Sequence, residues 1–356
     1  MQFRIIIFFA SLLLSLNVFS LESVGKVDLT LNSYNYSQAK YIEDYIGDFS
    51  GPVKIGDHAV SLNKLVFDIH YGDFNIGVFR RLEHQHYFTS DTIRLQNNIK
   101  NNLLPNSSES YQLRLKMDHF DATGIKLGYQ WHHYKNISVS LIGNYFTAVN
   151  FYSGELAGKA EWNSKDDLII NAPSEVYSAK NMLLEFPKIN SNGTGFSVDL
   201  GINWKLNDQW NIQLNANDIA SEINWDKALL SKINRWDIYQ VNSSGVLETS
   251  PIIEGNILTY KQELIKNYKG TIAFSHGDHY EYFSTLFQNK MFSHHHFGVQ
   301  KNIDDHQSIR VAWHTNLNSF EIGYKTKLTT LKFVTDSLSS QKRHSLSFSA
   351  GISYLF

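Results

Sequence analysis

Histidine is the residue type best placed to do chemistry in this chain. There are 15, and three stand together as His294-His295-His296, with His276 and His279 upstream and His306 and His314 downstream. On an extended strand only alternate side chains share a face. His294 and His296 are therefore the pair in the triplet that could ligate one metal, with a third ligand drawn from a neighbouring strand. The competing reading is a set of solvated histidines. The lack of cysteine, of a second spaced pair and of a helical His-x3-His favours it, so no metal and no cofactor are expected. His132-His133 and His84-x-His86 read the same way, as polar lining or loop surface. Hydrolysis would need a nucleophile beside a base. Ser275-His276 with Asp278, and His344-Ser345, have the right residue types, but neither lies in a motif of a known membrane hydrolase. No enzymatic activity is expected.

The second group is charged: Arg114, Lys116 and Asp118 in one stretch, Lys126 in the next, then Arg310, Glu321 and Lys325. Each lies in a segment that alternates apolar and polar residues. Leu113, Leu115 and Met117 oppose Arg114, Lys116 and Asp118, and Ile125, Leu127, Tyr129 and Trp131 oppose Lys126 and Gln130. Ile309, Val311 and Trp313 oppose Arg310, while Phe320, Ile322 and Tyr324 oppose Glu321 and Lys325. The same rhythm runs from Leu65 to Tyr71 (with Val66 the misfit), from Ile137 to Leu141 and from Val198 to Trp204. Period-two alternation makes each a strand with one greasy and one wet side.

The greasy faces often finish in Tyr or Trp, as at Tyr71, Trp131, Trp204 and Trp313, where an interfacial girdle would sit. Aromatics make up 14 % of the chain. Mean hydropathy is −0.29, far too polar for a bundle of membrane helices. It suits a barrel with a lipid-facing side and a wet lumen. The formal net charge of −2 comes with no basic stripe, so nucleic-acid binding is set aside. With no cysteine, a disulfide scaffold, a thiolate site and a lipoprotein anchor are excluded.

Residues 1–20 read as a signal peptide: Arg4, an apolar run from Ile5 to Leu16, then Val18 and Ser20 ahead of cleavage near Ser20. The run is too short to span a bilayer as a helix. A membrane protein without spanning helices must close a sheet into a cylinder to satisfy its backbone. Residues 21–356 are therefore expected to form one all-β, transmembrane antiparallel barrel of about 14 strands, within a range of 12 to 16. Compact turns are expected at Gly72-Asp73, Asp121 to Thr123, Tyr134 to Asn136, Asn207 to Gln209, Asn302 to His306 and Asn316 to Asn318. Longer loops are expected at about Tyr87 to Ser110, Asn163 to Thr194 and Ser337 to Arg343. From Asn224 to Asn267 the rhythm weakens. Leu229, Leu230 and Ile233 fall at helical spacing there, so short helices within residues 224–267 compete evenly with an irregular loop.

The chain ends with Leu346, Phe348, Ala350, Ile352, Tyr354 and Phe356 at every second place, serine or glycine between them and Leu355 the exception. This resembles the C-terminal assembly signal of Gram-negative outer-membrane barrels. The resemblance assigns Phe356, Tyr354, Ile352 and Phe348 to that signal and implies the barrel-assembly machinery and periplasmic chaperones as partners, with outer-membrane lipids and lipopolysaccharide around the finished barrel. A narrower stretch, Gly195 to Trp225, is similar to a hairpin in a loose group of barrels that resemble long-chain fatty-acid transporters and conjugal-transfer barrel proteins. The Asn-Pro-Ala plug motif of the fatty-acid transporters is missing, so their mechanism is not implied.

In such a barrel the seven charged residues would face the lumen and tune solute selectivity. The expected function is a passive channel or transporter for small or amphipathic solutes in the outer membrane. The alternatives are a non-conducting structural, assembly or partner-binding barrel and, behind it, an outer-membrane hydrolase.

Overall fold

The computed structural model describes residues 25–46, 52–101, 103, 108–134, 136–164, 167–179, 191–233, 240–241, 247–248, 253–339 and 342–356. The expected signal peptide lies outside them.

Alternation along the chain builds a closed antiparallel barrel of 14 staves. The first five are β1 (Gly25–Ser37), β2 (His58–Tyr71), β3 (Phe74–Phe88), β4 (Glu109–Tyr134) and β5 (Ile137–Ser164). The sixth comes in three in-line pieces, β6 (Asp167–Asn171), β7 (Ser174–Ser178) and β8 (Gly193–Lys205), each antiparallel to β5. The seventh is β9 (Trp210–Ile233), followed by a small ribbon of β10 (Gln240–Val241) and β11 (Leu247–Glu248). The eighth is broken into β12 (Ile253–Gln262) and β13 (Asn267–His276), both antiparallel to β9. Six shorter staves complete the ring: β14 (Tyr280–Asn289), β15 (Ser293–Asn302), β16 (Ser308–His314), β17 (Ser319–Lys325), β18 (Thr329–Thr335) and β19 (Ser345–Leu355). β19 pairs with β1 from Lys26↔Leu355 to Tyr36↔Ser345, so the sheet has no free edge in the ring.

Gly25 and Phe356 meet at one end, the base, where their backbones exchange two hydrogen bonds of 3.0 Å. The turns there are short. Gly72 in the β2–β3 hairpin has φ +54°, a conformation that costs glycine little. The opposite end, the crown, is uneven. β4, β5 and β9 span 26, 28 and 24 residues, whereas β16, β17 and β18 have 7 each. One wall thus stands far above the other. Against it packs α2 (Ser90–Lys100), capped by the Thr89 hydroxyl and burying Ile93 and Leu95. A shorter helix, α1 (Ile42–Ile46), lies within the β1–β2 connection.

Large apolar side chains are exposed on the outer face as a continuous belt: Leu31 on β1, Ile69 on β2, Ile125 and Leu127 on β4, Leu214 on β9, Ile322 on β17 and Ile352 on β19 among them. Tyr71, Phe74, Trp131, Trp204, Trp210 and Tyr280 rim it at the base, and Trp313 and Phe320 lie at its crown side. Such a belt with aromatic rims is the surface a barrel presents to hydrocarbon. Above it the outer face of β1 and β2 turns polar, in a hydrogen-bonded ladder of Asn35, Ser33, Asn63 and Ser61. No helix among the described residues is long and apolar enough to cross a membrane, which says nothing of a crossing by strands.

Three expectations need correction. The described part of residues 224–267 contains no helix. Leu229, Leu230 and Ile233 lie on β9, where pairing with β12 and β7 overrides the helical spacing. Asp121 to Thr123 is not a turn but the middle of β4, which pairs through it with both β3 and β5. The stretch from Asn163 to Thr194 carries β6 and β7 rather than running wholly as loop. The hairpins at Gly72-Asp73 and at Asn207 to Gln209 lie where alternation placed them.

Candidate functional site: the barrel lumen

The inner face changes character from base to crown. Near the base it is wet. Gln130, Ser138, Ser140, Gly201, Asn203, Gln213 and Asn215 line a recess of about 160 Å³. Ser349 and Ser353 on β19 bond to Asn32 and Asp28 on β1. Lys126 donates to the Asp68 carboxylate at 2.8 Å.

Halfway up, the lumen is crossed. Arg81 on β3 donates from both terminal nitrogens to Asp218 on β9, at 2.8 and 2.6 Å, and from Nε to Glu83. Gln85 donates to the other Glu83 oxygen at 3.2 Å. The Asp218 amide donates to Asp199 at 2.8 Å, and Asp199 accepts in turn from Asn144 at 3.0 Å. Asp218 sits in the left-handed region, φ +57°, where the β8–β9 register shifts. Asp tolerates that conformation better than most residues. The resulting bulge aims its carboxylate inward. Buried charges need paired, hydrogen-bonded partners, and this network supplies them.

Above the crossing the tall wall rolls inward. Trp225 on β9 donates to Gln262 at 3.0 Å, Tyr260 on β12 donates to Ser153 on β5 at 3.0 Å, and Ser153 donates to Asp118 on β4 at 2.7 Å. The Tyr260 bond joins β12 to β5, and Gln262 on β12 also donates to Asp118 on β4 at 3.4 Å, so both cross between strands that are not neighbours in the ring. The roll is filled by aromatics: Phe151 stacks on Trp225 with centroids 4.0 Å apart, and Tyr177 on Tyr260 at 4.1 Å. Phe120, Phe146, Ile223 and Leu264 complete that core. On β7, well above the belt, the Tyr177 hydroxyl donates to Glu175. That bond holds the Glu175 carboxyl below its ordinary range and pushes the Tyr177 hydroxyl up to about 12.

Lys126, Arg310, Glu321 and Lys325 lie on the inner faces of their strands, Lys325 exposed at the base mouth. Arg310 donates to Glu321 at 2.8 Å and covers the Phe283 ring at 3.5 Å. Arg114, Lys116 and Asp118 share one face of β4 but stand above the crossing. Arg114 pairs with Glu155 at the exposed rim, and Asp118 closes the aromatic roll. The seven therefore form no single ring. His294 and His296 both face inward, and β16 brings His314 opposite His296. His84 on β3 stacks on His119 of β4, with centroids 3.8 Å apart.

Neither hydrolytic candidate assembles a nucleophile–base pair among the described bonds. Ser275 and Asp278 use backbone groups at the base turns, and His344 Nδ1 faces the Ser37 and Lys40 carbonyls. Arg81, Glu83 and Asp218 were not singled out from the sequence. Arg81 and Glu83 do stand two apart, which signals a shared face, but Phe79 lies on that face too, so spacing alone does not mark it as polar.

No family model matches the chain, and no curated protein does. Among solved structures it is similar to the toluene transporter TodX of P. putida, at 10 % identity and TM-score 0.45, covering 95 % of this chain and 90 % of that one. It is also similar to a Pseudomonas aeruginosa FadL homologue, at 10 % identity and TM-score 0.41, covering 94 % and 88 %. A third is the translocator domain of the autotransporter NalP from Neisseria meningitidis, at 8 % identity and TM-score 0.35, covering 98 % and 92 %. These values describe a shared barrel outline and nothing finer.

Proposed function

We propose that this protein is an outer-membrane channel for small or amphipathic solutes, with the lumen closed at mid-height. The observation that carries the reading is the split interior. The base half is lined by Ser, Asn and Gln around open space, while the crown side is sealed by the Arg81–Asp218 crossing and an aromatic core. A barrel serving only as a scaffold has no physical need for a wet half, since packed side chains would stabilise it more. A transport path needs a wet wall and a constriction that can part. The exposed apolar belt supports a bilayer location, and the C-terminal alternation supports delivery by the barrel-assembly machinery with periplasmic chaperones. Lipopolysaccharide and lipid are then the barrel's surroundings.

The test is solute uptake into liposomes carrying the folded protein. Swelling in small amphipathic solutes that exceeds that of empty liposomes is the expected result. A folded barrel that leaves the liposomes as tight as empty ones would point instead to the partner-binding reading, for which the crown roll and α2 offer the surface.

A further inference from the structure

We infer that His294, His296 and His314 form a three-imidazole site for a divalent transition metal of the zinc or copper class, built into the lumen wall. His294 and His296 occupy alternate inward positions on β15, and His314 on β16 is the register partner of His296. One ligand nitrogen from each lies within 4.8 Å of the others. Tetrahedral zinc with bonds of about 2.0–2.1 Å holds its donor nitrogens about 3.3 Å apart, so modest side-chain rotation closes the set.

The surroundings are those of a ligand site rather than of a satisfied core. All three histidines are buried, at 8, 6 and 4 % exposure. In each, Nδ1 is buried with no hydrogen-bond partner among the described residues. A buried polar atom left unpaired is costly, and three such atoms in one cluster of adjacent imidazoles call for a partner. His314 is also oriented from behind. Its Nε2 lies 3.0 Å from the fully buried Glu321 carboxylate, which Arg310 holds at 2.8 Å. A carboxylate on the far nitrogen fixes the proton there and frees Nδ1 as a metal donor, the arrangement seen behind histidine ligands generally. Three imidazoles leave at least one coordination position for water or a passing solute.

Arg310 faces the cluster from its own hairpin, Lys332 from β18 and Lys269 from β13. These cations oppose a dication, and among the described residues Glu321 is the carboxylate set against them. Neutral imidazole donors therefore have to supply the affinity, which favours Cu²⁺ over Zn²⁺ and excludes Ca²⁺ and Mg²⁺, which prefer oxygen ligands.

The site is independent of whether the barrel conducts, and its test is spectroscopic. Folded, chelator-stripped full-length protein in detergent is titrated with CoCl2, CuCl2 and ZnCl2. One equivalent of Co²⁺ with intense visible bands of low-coordinate geometry is expected, displaced by one equivalent of Zn²⁺. The Cu²⁺ form should show imidazole nitrogen couplings by pulsed electron paramagnetic resonance. His296→Ala with His314→Ala should abolish the bands, and Glu321→Gln should weaken binding 10- to 100-fold. His84→Gln with His119→Gln should change neither. Should the double alanine variant misfold by gel shift, His294→Gln alone must still lower the affinity. Failure of the wild type to take up one equivalent, or binding unchanged in the His294, His296 and His314 variants, overturns the assignment.

Discussion

Arg81 and Asp218 meet across the lumen through two parallel hydrogen bonds of 2.8 and 2.6 Å, although 137 residues and three intervening staves separate them. Both side chains are buried. Removing one partner strands the other charge, which costs about 3–5 kcal/mol. Asp218→Ala should therefore lower stability by that order in urea titrations of the folded barrel. Replacing Arg81 and Asp218 with Met and Leu, together with Glu83→Gln, should recover most of the loss, because no unpaired charge then remains.

The belt yields a polarity test. Ile322 points outward among exposed apolar neighbours, and Glu321 beside it points inward. Ile322→Lys should cost about 2–4 kcal/mol in lipid vesicles if the residue sits near the bilayer midplane. Ser140→Lys, in the wet recess, should change stability far less. Reversible unfolding from vesicles measures both. Equal penalties at the two positions would contradict the assignment of faces.

Gly25 and Phe356 finish the β1–β19 seam at the base with two backbone hydrogen bonds. A Cβ on Gly25 would come within 2.4 Å of the Phe356 ring, so the two share one space. Phe356→Ala should remove about 1 kcal/mol of apolar burial and slow assembly, read as delayed appearance of the heat-modifiable band. Gly25→Val should delay it too, by displacing the ring from β1.

Glu175 and Tyr177 give a pH signature at the crown. The Tyr177 hydroxyl bond lowers the folded carboxyl below its unfolded value. The contribution is therefore present above the unfolded pKa and is lost as pH falls through the depressed folded value. Glu175 is about half-exposed, so solvent screening keeps the effect small and local to β7. The hydrogen-exchange protection factors of residues 174–178, taken against the intrinsic rate at each pH, should fall on acidification in wild type, and Tyr177→Phe should flatten that dependence.

Much of this architecture is legible in the sequence because an apolar outer face around a polar inner one forces strict alternation. The outward sets Ile309-Val311-Trp313, Phe320-Ile322-Tyr324 and Phe348-Ile352-Tyr354 sit as their spacing says. The reading fails above the exposed apolar belt and where the lumen is packed. Val66 breaks the rhythm of β2 because it faces inward onto Phe79, where the lumen is packed. At Leu229, Leu230 and Ile233 both faces of β9 are covered, so a buried strand imitates a helix. The long-range pieces, Arg81 to Asp218 and His296 to His314, depend on ring order and register, which no local pattern encodes. The pair at His294 and His296 is visible from spacing alone, but the third histidine and Glu321 become neighbours only through the β15–β16 and β16–β17 registers.

Single-channel recording in planar bilayers, comparing wild type with Arg81→Ala/Asp218→Ala, tests the mid-height closure most directly. Wild type should show rare, small openings, and the double variant should raise conductance or open time several-fold. A double variant that is folded by gel shift yet as silent as wild type, or a wild type that is steadily open, would contradict a lumen closed by this pair.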